Sequence, residues 1–169
     1  MDISLIIQDL SKNKETLHAL LTMVEDEEIL WKADPSMWCL LEVVCHLYDE
    51  EREDFRARAN HLLQHPGVPP PLFDQLAWVT ERKYIEQDYR ERLKEFLSER
   101  AKSIQWLQSH QSASWHNAFH HQKLGVITAG YYLTNWVAHD LLHMRQILKI
   151  KYLYLQDSGG MDLSYAGNW

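Results

Sequence analysis

The sequence predicts an all-α fold, a four-helix bundle, on three observations. Apolar residues recur at three- and four-residue spacing over four long segments. The breaks between those segments are short, which sets consecutive helices side by side. One break, His65-Pro66-Gly67-Val68-Pro69-Pro70-Pro71, is too proline-dense for a helix or a central strand.

The first helix is expected over 2–24, where Ile3, Ile6, Ile7, Leu10, Leu17, Leu20 and Leu21 fall at helical spacing. The acidic run Glu25-Asp26-Glu27-Glu28 and then Asp34-Pro35 interrupt it. A second helix is expected from about Cys39 to Leu63, carrying Leu40, Val43, Val44, Leu47, Phe55 and Leu62. Cys39 stands where a capping Ser or Thr is favoured, with Glu42 three residues on, a weak capping box.

A third helix is expected over roughly Ala77 to Ser109, with Tyr84, Tyr89, Leu93, Phe96, Leu97, Ile104 and Leu107 along one side. Its charges are mixed in sign from Glu81 to Arg92, as on a solvated face. His110 to Gly125 reads as a connection rich in His and Ser. The fourth helix is expected to start near Gly125–Thr128 and run to about Leu155, leaving 156–169 as an irregular tail of a single 1–169 domain. Tyr165 and Trp169 in that tail are placed to cover a pocket or a partner, or to move freely.

The composition excludes several partner classes. The 169 residues are 46% hydrophobic and 24% charged, the balance of a globular domain able to bury a real core. A formal net charge of −7 offers no phosphate-neutralising surplus, so nucleic acid is not an expected partner. No apolar run reaches the roughly 20 residues of a membrane span, and the start lacks the pattern of a secretory leader. Cys39 and Cys45, six apart on one helix, point to different faces, so no disulfide is expected between them. The expected setting is the reducing cytoplasm. Seven Trp and eight Tyr are many for this length, and some should line more than an aliphatic core.

The most informative spacing is His139-Asp140-Leu141-Leu142-His143. Residues i and i+4 of a helix share a face, so the two imidazoles can chelate one metal ion. His46, in the apolar stretch Val43-Val44-Cys45-His46-Leu47, is the candidate third ligand. Asp49 and Glu50, about one turn on, are candidates to accept a hydrogen bond from its non-ligating nitrogen. The other reading of all three histidines is packing within the core. His116, His120 and His121 lie in a polar connection and are weaker candidates, and Trp38, Tyr131, Tyr132 and Trp136 read first as core or interface. No Ser-His-Asp order, phosphate-cradling glycine loop or HExxH occurs.

Three stretches together resemble the DinB-like superfamily. Trp38 to Asp49 is similar to its helix-two motif, a tryptophan, a cap residue and then His46-Leu47. His121-Gln122-Lys123-Leu124-Gly125-Val126-Ile127-Thr128 resembles its His-Pro-x-x-Gly-x-x-Thr entry to the last helix. His139-Asp140-x-x-His143-x-x-Gln146-Ile147 resembles its closing HDxxHxxQI motif. The resemblance covers about residues 3–153. Cys39 replaces the usual Ser or Thr, Gln122 the usual Pro, and the tail after Leu155 has no counterpart.

That resemblance implies up-down-down-up connectivity, with the proline-bearing loop as the crossover. It implies a divalent metal, zinc or nickel first and iron next, held by His46, His139 and His143. It also implies a homodimer and a metal-dependent enzyme of thiol-transferase or detoxification type. Such an enzyme would act on a small-molecule substrate with a low-molecular-weight thiol, as bacillithiol transferases and the mycothiol-dependent maleylpyruvate isomerase do. Two other readings stand beside it: a metal-dependent hydrolase with Asp49 or Glu50 as base, and a non-enzymatic, stress-associated dimerising protein with a structural metal.

Overall fold

A computed structural model describes residues 2–167 of the chain; Trp169 of the expected tail lies outside them. Helix α1 (Ile3–Thr22) starts where the Asp2 carboxylate accepts a 2.9 Å hydrogen bond from the Ser4 N–H. It buries Ile3, Ile6, Leu10, Leu17 and Leu21, the face the periodicity marked. A short helix the sequence reading missed, α2 (Asp26–Ile29), occupies the acidic interruption.

The second long helix is α3 (Leu40–Asp49), a π-helical turn (Glu50–Phe55) and α4 (Arg56–Gln64) in one continuous rod. Glu42 reaches back to accept a 2.8 Å bond from the Cys39 N–H, which fixes the start. Every α3 residue except Tyr48 is buried, so this helix lies in the middle of the molecule. Its two cysteines are free. The π turn sets Glu50, Glu51, Asp54 and Phe55 all in buried positions. Widened turns of this kind are frequent at functional sites.

The rod ends at His65, where a turn closes with the Val68 N–H donating to the His65 carbonyl at 3.1 Å. Its third residue, Gly67, has φ +86, a value that favours glycine after Pro66.

The expected third helix, Ala77 to Ser109, is corrected to two pieces. Helix α5 (Ala77–Glu81) and a single 3₁₀ turn (Tyr84–Glu86) precede helix α6 (Tyr89–Ser109). The break has a local cause. Lys83 is left-handed at φ 49, and the Asp88 carboxylate caps the new helix by accepting from the Glu91 N–H at 2.7 Å. The kink lets Trp78 and Tyr84 bury against α3 while Tyr89 opens the next helix.

The expected His-rich connection is corrected as well. Ala118–His121 (β1) and Gly125–Thr128 (β2) form an antiparallel hairpin with His121 opposite Gly125. Gly125 at φ +74 closes its three-residue loop in the bulge conformation such loops use. Phe119 and Ile127 face each other across it and enter the core.

Helix α7 (Ala129–Gly159) then starts at Thr128, whose hydroxyl accepts from the Tyr131 N–H at 3.0 Å. It runs four residues past the expected end at Leu155. Late contacts hold it there: Trp31 donates to Asp157 at 3.0 Å, and Lys151 pairs with Glu28 at 3.1 Å. A 3₁₀ turn (Ser164–Ala166) follows.

α1 packs against α6 and α7, α3 against α6, and α4 against α7. No helix is long and apolar enough to cross a membrane among the described residues.

A buried ionic knot, unannounced by the periodicity, ties these helices together. The Arg100 guanidinium of α6 is bidentate to Asp140 of α7, both bonds 2.7 Å, and donates to Glu51 of the π turn at 2.8 Å. Asn13 of α1 donates to Asp140 at 3.1 Å, and Trp136 to Glu51 at 3.0 Å. Arg100 and Asp140 are 1% and 0% exposed, so this is a core element. The missed signal was phase: Leu93, Phe96, Arg100, Ser103 and Leu107 follow one heptad seam of α6, all buried.

Candidate metal centre

α3 and α7 bring the three predicted histidines together. His139 Nε2 lies 3.2 Å from His46 Nε2 and 3.0 Å from His143 Nε2. One donor atom from each residue falls within 4.8 Å of the other two. Two helices suffice: the i,i+4 pair comes from α7, and His46 from the buried face of α3. Trp38 packs edge-on to His46, ring centroids 4.9 Å apart, and Phe55 sits 5.0 Å from the His139 ring.

The donor set fits a cation better than it fits itself. The Gln146 carbonyl oxygen lies 2.8 Å from His143 Nδ1 and accepts a hydrogen bond from its N–H, leaving the His143 Nε2 lone pair aimed at His139. His139 Nε2 then faces two nitrogens, and a single proton there can serve only one contact well. A cation satisfies three lone pairs at once. At about 2.1 Å from each nitrogen it places neighbouring donors about 3.0 Å apart for a right angle and about 3.4 Å for a tetrahedral one. The two separations from His139, 3.2 and 3.0 Å, fall in that span, and the His46–His143 pair lies within 4.8 Å.

Burial keeps these imidazoles neutral. Desolvation first, and then His143, pushes His46 down to about 3. Desolvation, then His143 and His46, pushes His139 down to about 2. His143 is lowered by burial and partly restored by Gln146. Protons therefore compete weakly for the lone pairs at neutral pH.

A pH prediction follows from these shifts. Each folded value lies below the unfolded value near 6.5, so the unfolded chain binds more protons in acid, and stability falls as pH drops below about 6.5. In chelator-treated protein each histidine adds a slope of up to about 1.4 kcal/mol per pH unit, continuing toward the folded values. Urea unfolding between pH 7 and 5 should therefore show a shallower pH slope for His139→Ala than for the native chain. Parallel slopes would contradict the buried-neutral assignment.

The two candidate orienting carboxylates separate. Glu50 Oε1 lies 4.0 Å from His46 Nδ1, which has no hydrogen-bond partner of its own. In the absence of a cation, burial and then the neighbouring Asp54 push the Glu50 carboxyl up to about 9, so it holds a proton at neutral pH. Asp49 faces a different cluster. It accepts from the Tyr84 hydroxyl at 2.7 Å and pairs with Arg82 at 2.8 Å.

The other histidines stay apart from the centre. His121 Nδ1 accepts from the Lys123 and Leu124 N–H groups and so braces the hairpin turn. His120 lies on the same strand and His116 precedes it. Cys45, beside His46, is a buried thiol raised to about 12 by desolvation, too weak an acid to supply a thiolate.

Among solved structures the chain is similar to YfiT from Bacillus subtilis, described as a probable metal-dependent hydrolase with an unusual four-helix bundle topology. The TM-score is 0.74 at 18% identity, covering 95% of this chain and 89% of that one. At that identity the likeness establishes the fold. No curated protein sequence matches. A profile of the DinB superfamily matches residues 9–147, which include all three histidines and most of the bundle. The chain belongs to the DinB superfamily.

Proposed function

We propose that this chain is a metal-dependent hydrolase of small molecules, with His46, His139 and His143 holding one divalent cation. The observation that carries the reading is the convergence of three Nε2 atoms at 3.0 and 3.2 Å with no carboxylate among them. Its likeness to YfiT, described as a probable metal-dependent hydrolase, supports the reaction class. When bound, a divalent cation supplies Lewis acidity toward water and toward a substrate oxygen. The three neutral imidazoles leave its full charge in place.

The chain's own groups supply the rest. Gln146 fixes the tautomer of His143. Trp38 and Phe55 cover two sides of the imidazole cluster and keep bulk water from them. Glu50, with Asp54 beside it, is the proton-handling carboxyl: protonated at the outset, it gives the proton to the leaving group and recovers one at Oε1 from the attacking water. The nitrogen donors suit zinc, nickel or iron.

The test is hydrolysis of an activated ester panel by zinc- and nickel-reconstituted protein, with and without an added small thiol. The expected result is activity that chelation abolishes, that needs no thiol, and that Glu50→Gln lowers by about 10²- to 10⁴-fold in kcat. Activity only with thiol present would replace hydrolysis by thiol transfer on the same ligands. Activity indifferent to chelation would overturn the reading.

A further inference from the structure

Beside the histidine cluster lies a pocket of about 730 Å³, inside the roughly 300–1,000 Å³ range of small-molecule sites. Three segments form it: the end of the π turn with α4, the proline loop, and the hairpin with the first turns of α7. We propose that this pocket, separated from the imidazoles by the Phe55 ring, binds a planar aromatic monoanion, of which an aryl carboxylate is the simplest example. The proposal names the substrate class for the hydrolase reading above and rests on it for the role of the pocket.

The shape of the ligand is read from the walls. Phe55, Phe119, Tyr131 and Tyr132 supply aromatic surface from three different elements. Leu72, on the proline loop, and Leu124, in the hairpin loop, also line it and are 91% and 62% exposed. These apolar side chains have water where a ligand could lie. Aromatic walls favour a flat partner offset or edge-on to them.

The charge is read from pairing. Asp54, Arg58 and Lys123 are the charged residues lining the pocket. Asp54 and Arg58 are ion-paired with each other four residues apart on one helix. Lys123 is in no ion pair among the described residues, so the pocket wall is one positive charge in excess. The chain as a whole carries −7. A monoanion is the ligand that this local excess favours, and an organic cation is disfavoured.

The pocket is held open by cross-links between its walls. The Gly67 N–H donates to the Ala118 carbonyl at 2.9 Å, joining loop to hairpin. Asn117 donates to the Leu62 and Leu63 carbonyls at 3.2 and 3.3 Å, joining hairpin to α4. Gln75 donates to Asp54 at 2.9 Å, joining loop to π turn. Such preorganisation lowers the ordering penalty of binding.

Two floor residues connect it to the metal centre. Phe55 lines the pocket and packs 5.0 Å from the His139 ring. Asp54 lines the pocket and interacts with Glu50, which lies 4.0 Å from His46. A ligand resting on Phe55 is one side chain away from the ligating imidazoles.

The probes are 2-naphthoate, 2-naphthylmethanol and 2-naphthylmethylamine, titrated calorimetrically into chelator-treated protein so that no metal contributes. Naphthoate should bind about tenfold tighter than the alcohol, with the amine weakest. Lys123→Glu should weaken naphthoate by about tenfold and leave the alcohol unchanged. Tyr132→Ala should weaken naphthoate and the alcohol alike. In cobalt-loaded protein the bound naphthoate protons should relax faster than in zinc-loaded protein. Equal binding of the three probes, or naphthoate binding indifferent to Lys123→Glu, overturns the pocket assignment and leaves the metal reading standing. Failure to load cobalt or zinc, with naphthoate binding intact, would sink the metal reading alone.

Discussion

His139→Ala is expected to remove the cation at concentrations that saturate the native chain. His139 is the middle donor, its Nε2 facing both His46 at 3.2 Å and His143 at 3.0 Å, so its loss leaves two nitrogens with no shared neighbour. Loss of a partner behind a ligand lowers metal affinity about 10- to 100-fold, and loss of a ligand exceeds that. Removing Gln146, which holds His143 Nδ1, gives the intermediate case. Competition with a chromophoric chelator reads both. A thermodynamic signature accompanies it: cation at about 100 times its Kd stabilises the native fold by about 2.7 kcal/mol, and the variant loses that increment. A His139→Ala affinity within about threefold of native would mean that the histidines pack and do not ligate.

The second large effect lies behind the centre. Arg100→Leu should destabilise the chain by about 3–5 kcal/mol, because Asp140 and Glu51 are left as buried charges without a counter-ion. Burial already pushes the Glu51 carboxyl up, and the Arg100 guanidinium is the main group pulling it back. The combined variant Arg100→Leu, Asp140→Asn and Glu51→Gln should recover much of the loss, since nothing charged is then stranded. Urea unfolding at pH 7 measures both. A single-variant loss under about 1 kcal/mol, the range of an exposed ion pair, would contradict a buried, obligatory knot.

The contrast between these two sites shows what the sequence could reveal. The histidines were legible because a chelating pair has a local spacing, 139 to 143, and because His46 stands among apolar neighbours where a polar residue needs a reason. Arg100 was not, because charge in a helix usually means solvent. Only its phase among Leu93, Phe96, Ser103 and Leu107 placed it inside. Asp49 looked as good an orienter as Glu50, one turn from His46. Its shortest contacts, to Tyr84 and Arg82, come from more than thirty residues away beyond the proline loop. The hairpin was hidden by its brevity, four residues a strand, and by two histidines and a glutamine at its turn. The kink before α6 was hidden because Lys83 is not a residue that announces a left-handed backbone. The four long helices were legible because each repeats its apolar face for many turns.

Metal analysis of the native chain, paired with X-ray absorption at the edge of whatever ion is found, tests the central claim most directly. The account predicts one divalent ion per chain with three imidazole nitrogens at about 2.0–2.1 Å. A chain that neither purifies with an ion nor takes one up, or one whose ion is ringed by carboxylate oxygen or sulfur, would contradict it.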